Sequence, residues 1–218
     1  MRWFRRDRSR KSRFVEMFGD VENDVRDYPI ATIEGLCEDN FWIMPATPEY
    51  VEDGEVRYIT SKNIKGGIID FEGCKRISHE AFREISEKRP IKAGDFLISM
   101  IGTLGEVAIV SDRDGEFYGQ NMFLLRPDES KVDSLYLLSY LTHSAHVRHV
   151  IEKSKNSSTQ AYLKREHVVG MLIPHPPLAL QREFAAFVAE VDKSKFAVRK
   201  SLESYQKLYR QQLQEAFG

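Results

Sequence analysis

The sequence predicts an α+β fold, a mostly antiparallel sheet domain followed by one long C-terminal helix. Two patterns predict it. Short apolar runs at period two, cut by glycines, fill the middle of the chain, whereas the segment from Leu178 to Phe217 contains neither proline nor glycine. Size agrees, since 218 residues, 42% of them hydrophobic and 30% charged, suffice for one packed domain plus an appendage. No window approaches the roughly 18 consecutive apolar residues of a membrane span, and the arginine-rich start is not followed by the apolar stretch of a secretory signal. The expected address is therefore cytoplasmic. Cys37 and Cys74 stand alone without a CxxC pair and are expected to be buried thiols.

Taking the elements in order, residues 1–13 carry seven basic side chains against Asp7 although the whole chain has a net charge of −1, so any attraction to phosphates is local. Ser12-Arg-Phe-Val-Glu-Met-Phe-Gly19 aligns with Gln211-Gln-Leu-Gln-Glu-Ala-Phe-Gly218, an internal match that points to one unit of a repeating design. Val56–Thr60, Gly67–Phe71, Asp95–Ile101, Val107–Val110 and Met122–Arg126 read as strands. Ser78–Glu87 reads as a short helix with a serine cap, and Leu135–Ile151 as a longer one.

Beyond the breaker His175-Pro-Pro177, the final 40-residue helix would measure about 60 Å. Counting in sevens gives an apolar seam. Its expected contacts with a second helix are Phe184, Phe187, Val191, Val198, Leu202, Tyr205, Leu208 and Tyr209. A helix packed on its own domain is the competing reading.

Catalytic patterns do not emerge. Gly102-Thr-Leu-Gly105 lacks the lysine and following helix of a phosphate loop and reads as a strand-to-strand turn. His143, His146 and His149 spread over about 120° of a helix, wide for one ion, and read as a solvated face, so no metal site is expected. Pro127-Asp-Glu-Ser-Lys131 holds the letters of a nuclease site within one turn rather than on two strands.

Binding chemistry is better represented. Lys153 to Arg165 has four cations, no acid, and amides and hydroxyls able to read base edges. Thr60-Ser-Lys-Asn-Ile-Lys65 and Gly119-Gln-Asn121 are similar polar loops at strand ends, each also compatible with ordinary solvated loops.

Four motifs carry a resemblance. Tyr58-Ile-Thr-Ser-Lys-Asn-Ile-Lys-Gly-Gly67, Gly94-Asp-Phe-Leu-Ile-Ser-Met-Ile-Gly-Thr-Leu-Gly105, Ser157-Ser-Thr-Gln-Ala-Tyr-Leu163 and Ile173-Pro-His-Pro-Pro-Leu-Ala-Leu-Gln181 occur in that order. Together they resemble the specificity subunit of type I restriction-modification systems over about residues 28 to 217, in a half-length form with one target-recognition domain.

The resemblance implies a remnant of a preceding spacer helix over 1–19, a target-recognition domain over 20–176 and a spacer and dimerisation helix over 177–218. It implies sequence-specific reading of one half of a bipartite site in double-stranded DNA, docking of modification (methyltransferase) and restriction (endonuclease) subunits, and a homodimer through the helix. It also implies no catalysis and no cofactor in this chain, with S-adenosylmethionine, ATP and magnesium on the partner subunits. The candidate DNA contacts are Lys62, Asn63, Lys65, Arg76, Gln120, Asn121, Lys155, Asn156, Thr159, Gln160 and Lys164. A stand-alone metal-dependent nuclease or methyltransferase, and a helical scaffold without DNA reading, are the alternatives.

Overall fold

The computed structural model describes residues 8–21, 24–156 and 162–217. In chain order its elements are α1 (Arg8–Phe18), β1 (Gly19–Asp20), β2 (Asp24–Val25), β3 (Ile30–Thr32), β4 (Cys37–Ile43), β5 (Val56–Thr60), β6 (Ile64–Lys65), β7 (Ile68–Ile69) and β8 (Lys75–Ile77). There follow α2 (His79–Ser86), β9 (Phe96–Ser99), β10 (Val107–Ile109), β11 (Phe117–Gln120), β12 (Met122–Pro127), α3 (Ser134–His143), α4 (Ala145–Asn156), α5 (Arg165–Val169), β13 (Leu172–Pro174) and α6 (Leu178–Phe217).

An antiparallel sheet in the order β10-β9-β12-β4 forms the middle layer. Its alternate residues feed two different cores. Phe96, Ile98, Phe123 and Leu125 pack with the helices, whereas Leu97, Ala108, Met122 and Leu124 face the smaller sheet β11-β5-β8. Burial on both faces explains why β9 and β12 are almost wholly apolar rather than alternating. At β11 the helper is a glycine, because a Cβ on Gly119 would overlap the carbonyl of Ile59.

The α+β expectation holds, with local corrections. β11 runs parallel to β5 within an otherwise antiparallel set. The strand expected over 67–71 is a tight hairpin of β6 and β7, and β4 was not anticipated because Glu38, Asp39 and Asn40 give its first half a polar, turn-like composition. Ser144 adopts extended backbone and divides the helix expected over 135–151 into α3 and α4. Ser78 does cap α2, its Oγ accepting from the Ala81 N–H at 3.2 Å.

At the helical end, Phe14 and Phe18 of α1 join Tyr136 of α3 and Phe184 of α6 in one aromatic cluster, with ring centroids 4.8 to 5.5 Å apart. Gln181 locks the joint: its buried Oε1 accepts from the Asp133 N–H at 2.9 Å and its Nε2 donates to the Pro176 carbonyl at 2.9 Å. That pairing accounts for the Pro-Pro-Leu-Ala-Leu-Gln motif physically, since a buried amide must satisfy both ends.

The remaining side chains resolve further expectations. Asp128 accepts from the Ser130 hydroxyl at 2.5 Å and pairs with Lys131 at 3.1 Å, which pulls its carboxyl below the usual carboxylate range and shapes residues 127–131 as a turn. The two cysteines are half-buried rather than buried, and desolvation pushes the Cys37 thiol up to about 12. His143 is buried, correcting the solvated-face expectation, while His146 accepts from the Leu172 N–H at 3.3 Å and His149 is exposed. No described helix is long and apolar enough to cross a membrane.

Candidate nucleic-acid interface

The polar loops gather around the backbone of one residue, Met100, just beyond β9. Its N–H donates to the Asn121 carbonyl at 3.4 Å, and its carbonyl accepts from the Leu163 N–H at 3.1 Å. The Ser61 hydroxyl donates to the same Asn121 carbonyl, and Ile101 bridges to Tyr162. Segments near residues 61, 101, 121 and 162 thereby share one edge. Asn121 supports this as the one non-glycine described with a positive φ, 63°, a conformation asparagine tolerates better than most residues.

Gln120 is held by its oxygen. Oε1 accepts from Thr47 Oγ1 at 3.0 Å and from the Tyr58 hydroxyl at 3.3 Å, so the amide nitrogen is the end left to donate outward from these partners. Burial raises the Tyr58 hydroxyl above its ordinary range, keeping it protonated and able to donate.

The other candidates divide by surroundings. Lys62 is exposed beside Ser61. Asn63 also has a structural role: its Oδ1 accepts from the Thr60 N–H at 3.0 Å and its Nδ2 donates to the Asp70 carbonyl at 2.7 Å, which shapes the turn and leaves one amide hydrogen to donate. Lys65 reaches Asp70 at 3.4 Å. The Asp70 carboxyl lies below its usual range, chiefly through the hydrogen bond from the Glu72 N–H and then through Lys65.

Arg76 lies apart from the Met100 edge, opposite Arg57 at the far part of β5, and donates to the Gly54 carbonyl at 2.7 Å. Lys164 is exposed, 3.9 Å from Glu166. Asn156 ends α4, with its side chain outside the description, and Thr159 and Gln160 lie outside the described residues.

Beside this edge runs a cleft of about 290 Å³. Lys11, Arg148 and Lys155 line it together with Gly66, Gly67 and the turn Thr103–Val107, and Glu106 and Glu152 temper the charge. The glycine at 105 is required there, since φ is +72° and a Cβ would overlap Ile151 of α4. Sequence reading missed Lys11 and Arg148. The signal for Arg148 was helical spacing, because 148, 152 and 155 share a face.

Tyr162 adds an aromatic face, its ring centroid 6.5 Å from that of Trp42. Cations that seek phosphates, oriented amides and exposed rings are the equipment for holding a polyanion and reading base edges.

The second surface is α6. Phe184 is corrected from interface to interior, as it sits in the aromatic cluster of its own domain. Phe187 and Val191 are half-buried, and the Arg13 guanidinium lies 5.9 Å from the Phe187 ring. Farther along, Phe196, Val198, Leu202, Tyr205 and Tyr209 are 55 to 72% exposed, an apolar stripe without cover. The Leu208 side chain lies outside the description.

Residues 26–204 match the family model of the type I restriction modification DNA specificity domain. A protein of Methanocaldococcus jannaschii described as a type I restriction enzyme MjaX specificity subunit is 29% identical over 129 residues, which cover 57% of this chain and 30% of the relative. Among solved structures, the HsdS subunit from Thermoanaerobacter tengcongensis superposes with a TM-score of 0.58 at 17% identity, covering 88% of this chain and 44% of that one. The S subunit of a type I restriction-modification system from M. genitalium gives 0.57 at 14% identity, covering 90% and 50%. These likenesses show the fold. The chain spans about a third of the curated relative and about half of each solved subunit.

Proposed function

Because the chain belongs to the type I restriction-modification DNA specificity family, we propose that it is the sequence-reading part of such a system, taking one half of a bipartite site in double-stranded DNA. The convergence of the loops at Ser61, Ile101, Asn121 and Tyr162 on Met100 supports this reading most directly. In this assignment Lys62, Lys155, Lys11 and Arg148 contact phosphates and fix the position of the duplex. Gln120 and Asn121 donate to base edges, and Thr159 and Gln160 are assigned the same role.

The helix α6 acts as a spacer. Its exposed stripe from Phe196 to Tyr209 pairs with a second copy, and the modification subunit docks on the same rod, through which the restriction subunit is recruited. Two recognition domains then face two separated half-sites, and a symmetric pair reads a palindromic site. Reaction chemistry belongs to the partners, which carry S-adenosylmethionine, ATP and magnesium, and the assembly works in the cytoplasm.

The test is selection from randomised duplexes by the chain together with its modification subunit, followed by footprinting. Enrichment of a two-part motif supports the reading. Equal retention of all sequences, or methyl transfer to DNA by the chain alone with labelled S-adenosylmethionine, rejects it.

A further inference from the structure

The seating of α1 reveals which sequence pattern fits the base of α6, and the far end of α6 carries that same pattern. Aligning Ser12–Gly19 with Gln211–Gly218 puts Leu213 in the place of Phe14 and Phe217 in the place of Phe18, and carrying the alignment back one turn puts Tyr209 in the place of Arg10. In the structure α1 runs antiparallel to α6. Arg10 pairs with Asp192, Arg13 reaches Glu183 at 3.7 Å, and the rings of Phe14 and Phe18 each lie 5.5 Å from Phe184. The 11 residues of α1 span about 16 Å, and the apolar stripe of α6 is covered for about that distance and then left open from Phe196 onward.

We propose that α1 is an intramolecular stand-in for the end of a second copy's α6: residues 207–217 of one copy take the α1 seat of the other, and pairing displaces α1. This rests on the self-pairing reading above and adds a register and a competitor to it. Carried over, the α1 contacts set Tyr209 of one copy opposite Asp192 of the other and Phe217 against Phe184. The twofold axis then falls between Lys200 and Ser201, with Val198 one residue out of step with Leu202 of the second copy.

The two occupants differ most in charge. α1 brings Arg10 to Asp192, whereas the second copy brings Tyr209, which needs no carboxylate. α1 also brings Arg13 to Glu183, where the second copy brings Gln212. Asp192 thus favours the closed monomer, and its loss tips the competition toward the dimer.

Two measurements on the full chain decide it. Sedimentation should show Asp192→Ala self-associating several-fold more tightly than the unmodified chain, with an unchanged circular dichroism spectrum. A short bis-maleimide cross-linker should join two chains at Ser201→Cys, close to the axis, and not at Ser194→Cys, where the two thiols would be about 20 Å apart along the rod. The unmodified chain, with Cys37 and Cys74, provides the background. A dimer that cross-links at 194 instead of 201, or that is unchanged or weakened by Asp192→Ala, overturns the shared seat and leaves self-pairing standing. Strict monomers of both proteins at tens of micromolar overturn both.

Discussion

The guanidinium of Arg126 closes on both carboxylate oxygens of Asp95, each at 2.8 Å, with Asp95 1% and Arg126 17% exposed. The same arginine donates to the Pro90 carbonyl at 3.0 Å, and the Asp95 hydrogen bonds hold it firmly protonated. Asp95 belongs to one of the four motifs that carry the family resemblance, and its role there is to fasten β12 to the start of β9.

Removing one partner strands a charge. Arg126→Met should therefore cost about 3 kcal/mol in urea unfolding, because the Asp95 carboxylate stays buried with only the Lys92 N–H as a further donor. A loss below about 1 kcal/mol would mean that water reaches Asp95.

Asn121 combines two roles that substitutions can separate. Asn121→Gly should leave the melting temperature nearly unchanged, since glycine accepts φ of 63°, while discrimination at one base pair falls by about 1 to 3 kcal/mol. Asn121→Val should instead destabilise by about 1 to 2 kcal/mol, as a β-branched residue resists that conformation. Competition binding and thermal melts on the same samples distinguish the effects.

Cationic and amide positions should differ in their salt response. Lys155→Ala and Arg148→Ala should each weaken binding to every duplex and reduce the slope of log affinity against log salt by about 1. Gln120→Ala should alter sequence preference with the slope unchanged, and it should also release Thr47 and Tyr58 from their shared acceptor.

The Cys37 thiol gives a pH signature. Its ordinary value is near 9, and burial raises it to about 12 in the folded chain. Below pH 9 both folded and unfolded forms keep the proton, so the group contributes no difference. Between pH 9 and 12 the unfolded chain releases the proton more readily, so rising pH favours unfolding. Alkylation by iodoacetamide at pH 9 should be slow at Cys37 in the native protein and fast in urea, read by mass spectrometry of the peptide.

Legibility followed physical range. Period and breakers made α6, α2, β5 and β12 readable, because each rests on local spacing and caps. β4 was hidden, since Glu38, Asp39 and Asn40 oppose a strand locally and only its pairing with β12 holds them in one. Among candidate site residues, composition singled out the loops, yet spacing could not show that Asn63 bonds Thr60 and Asp70, or that Phe184 belongs to its own core. Lys11 was hidden for a similar reason, joining the cleft only because α1 folds back from the N-terminal end.

The junction at Met100 is tied through main-chain N–H and C=O groups, which every residue type except proline supplies. Exchanging side chains on the surrounding loops, Ser61 and Asn121 apart, therefore leaves the junction intact while changing the surface it presents. In the proposed reading, new target sequences should be open to this scaffold through a handful of surface replacements, with no redesign of its frame.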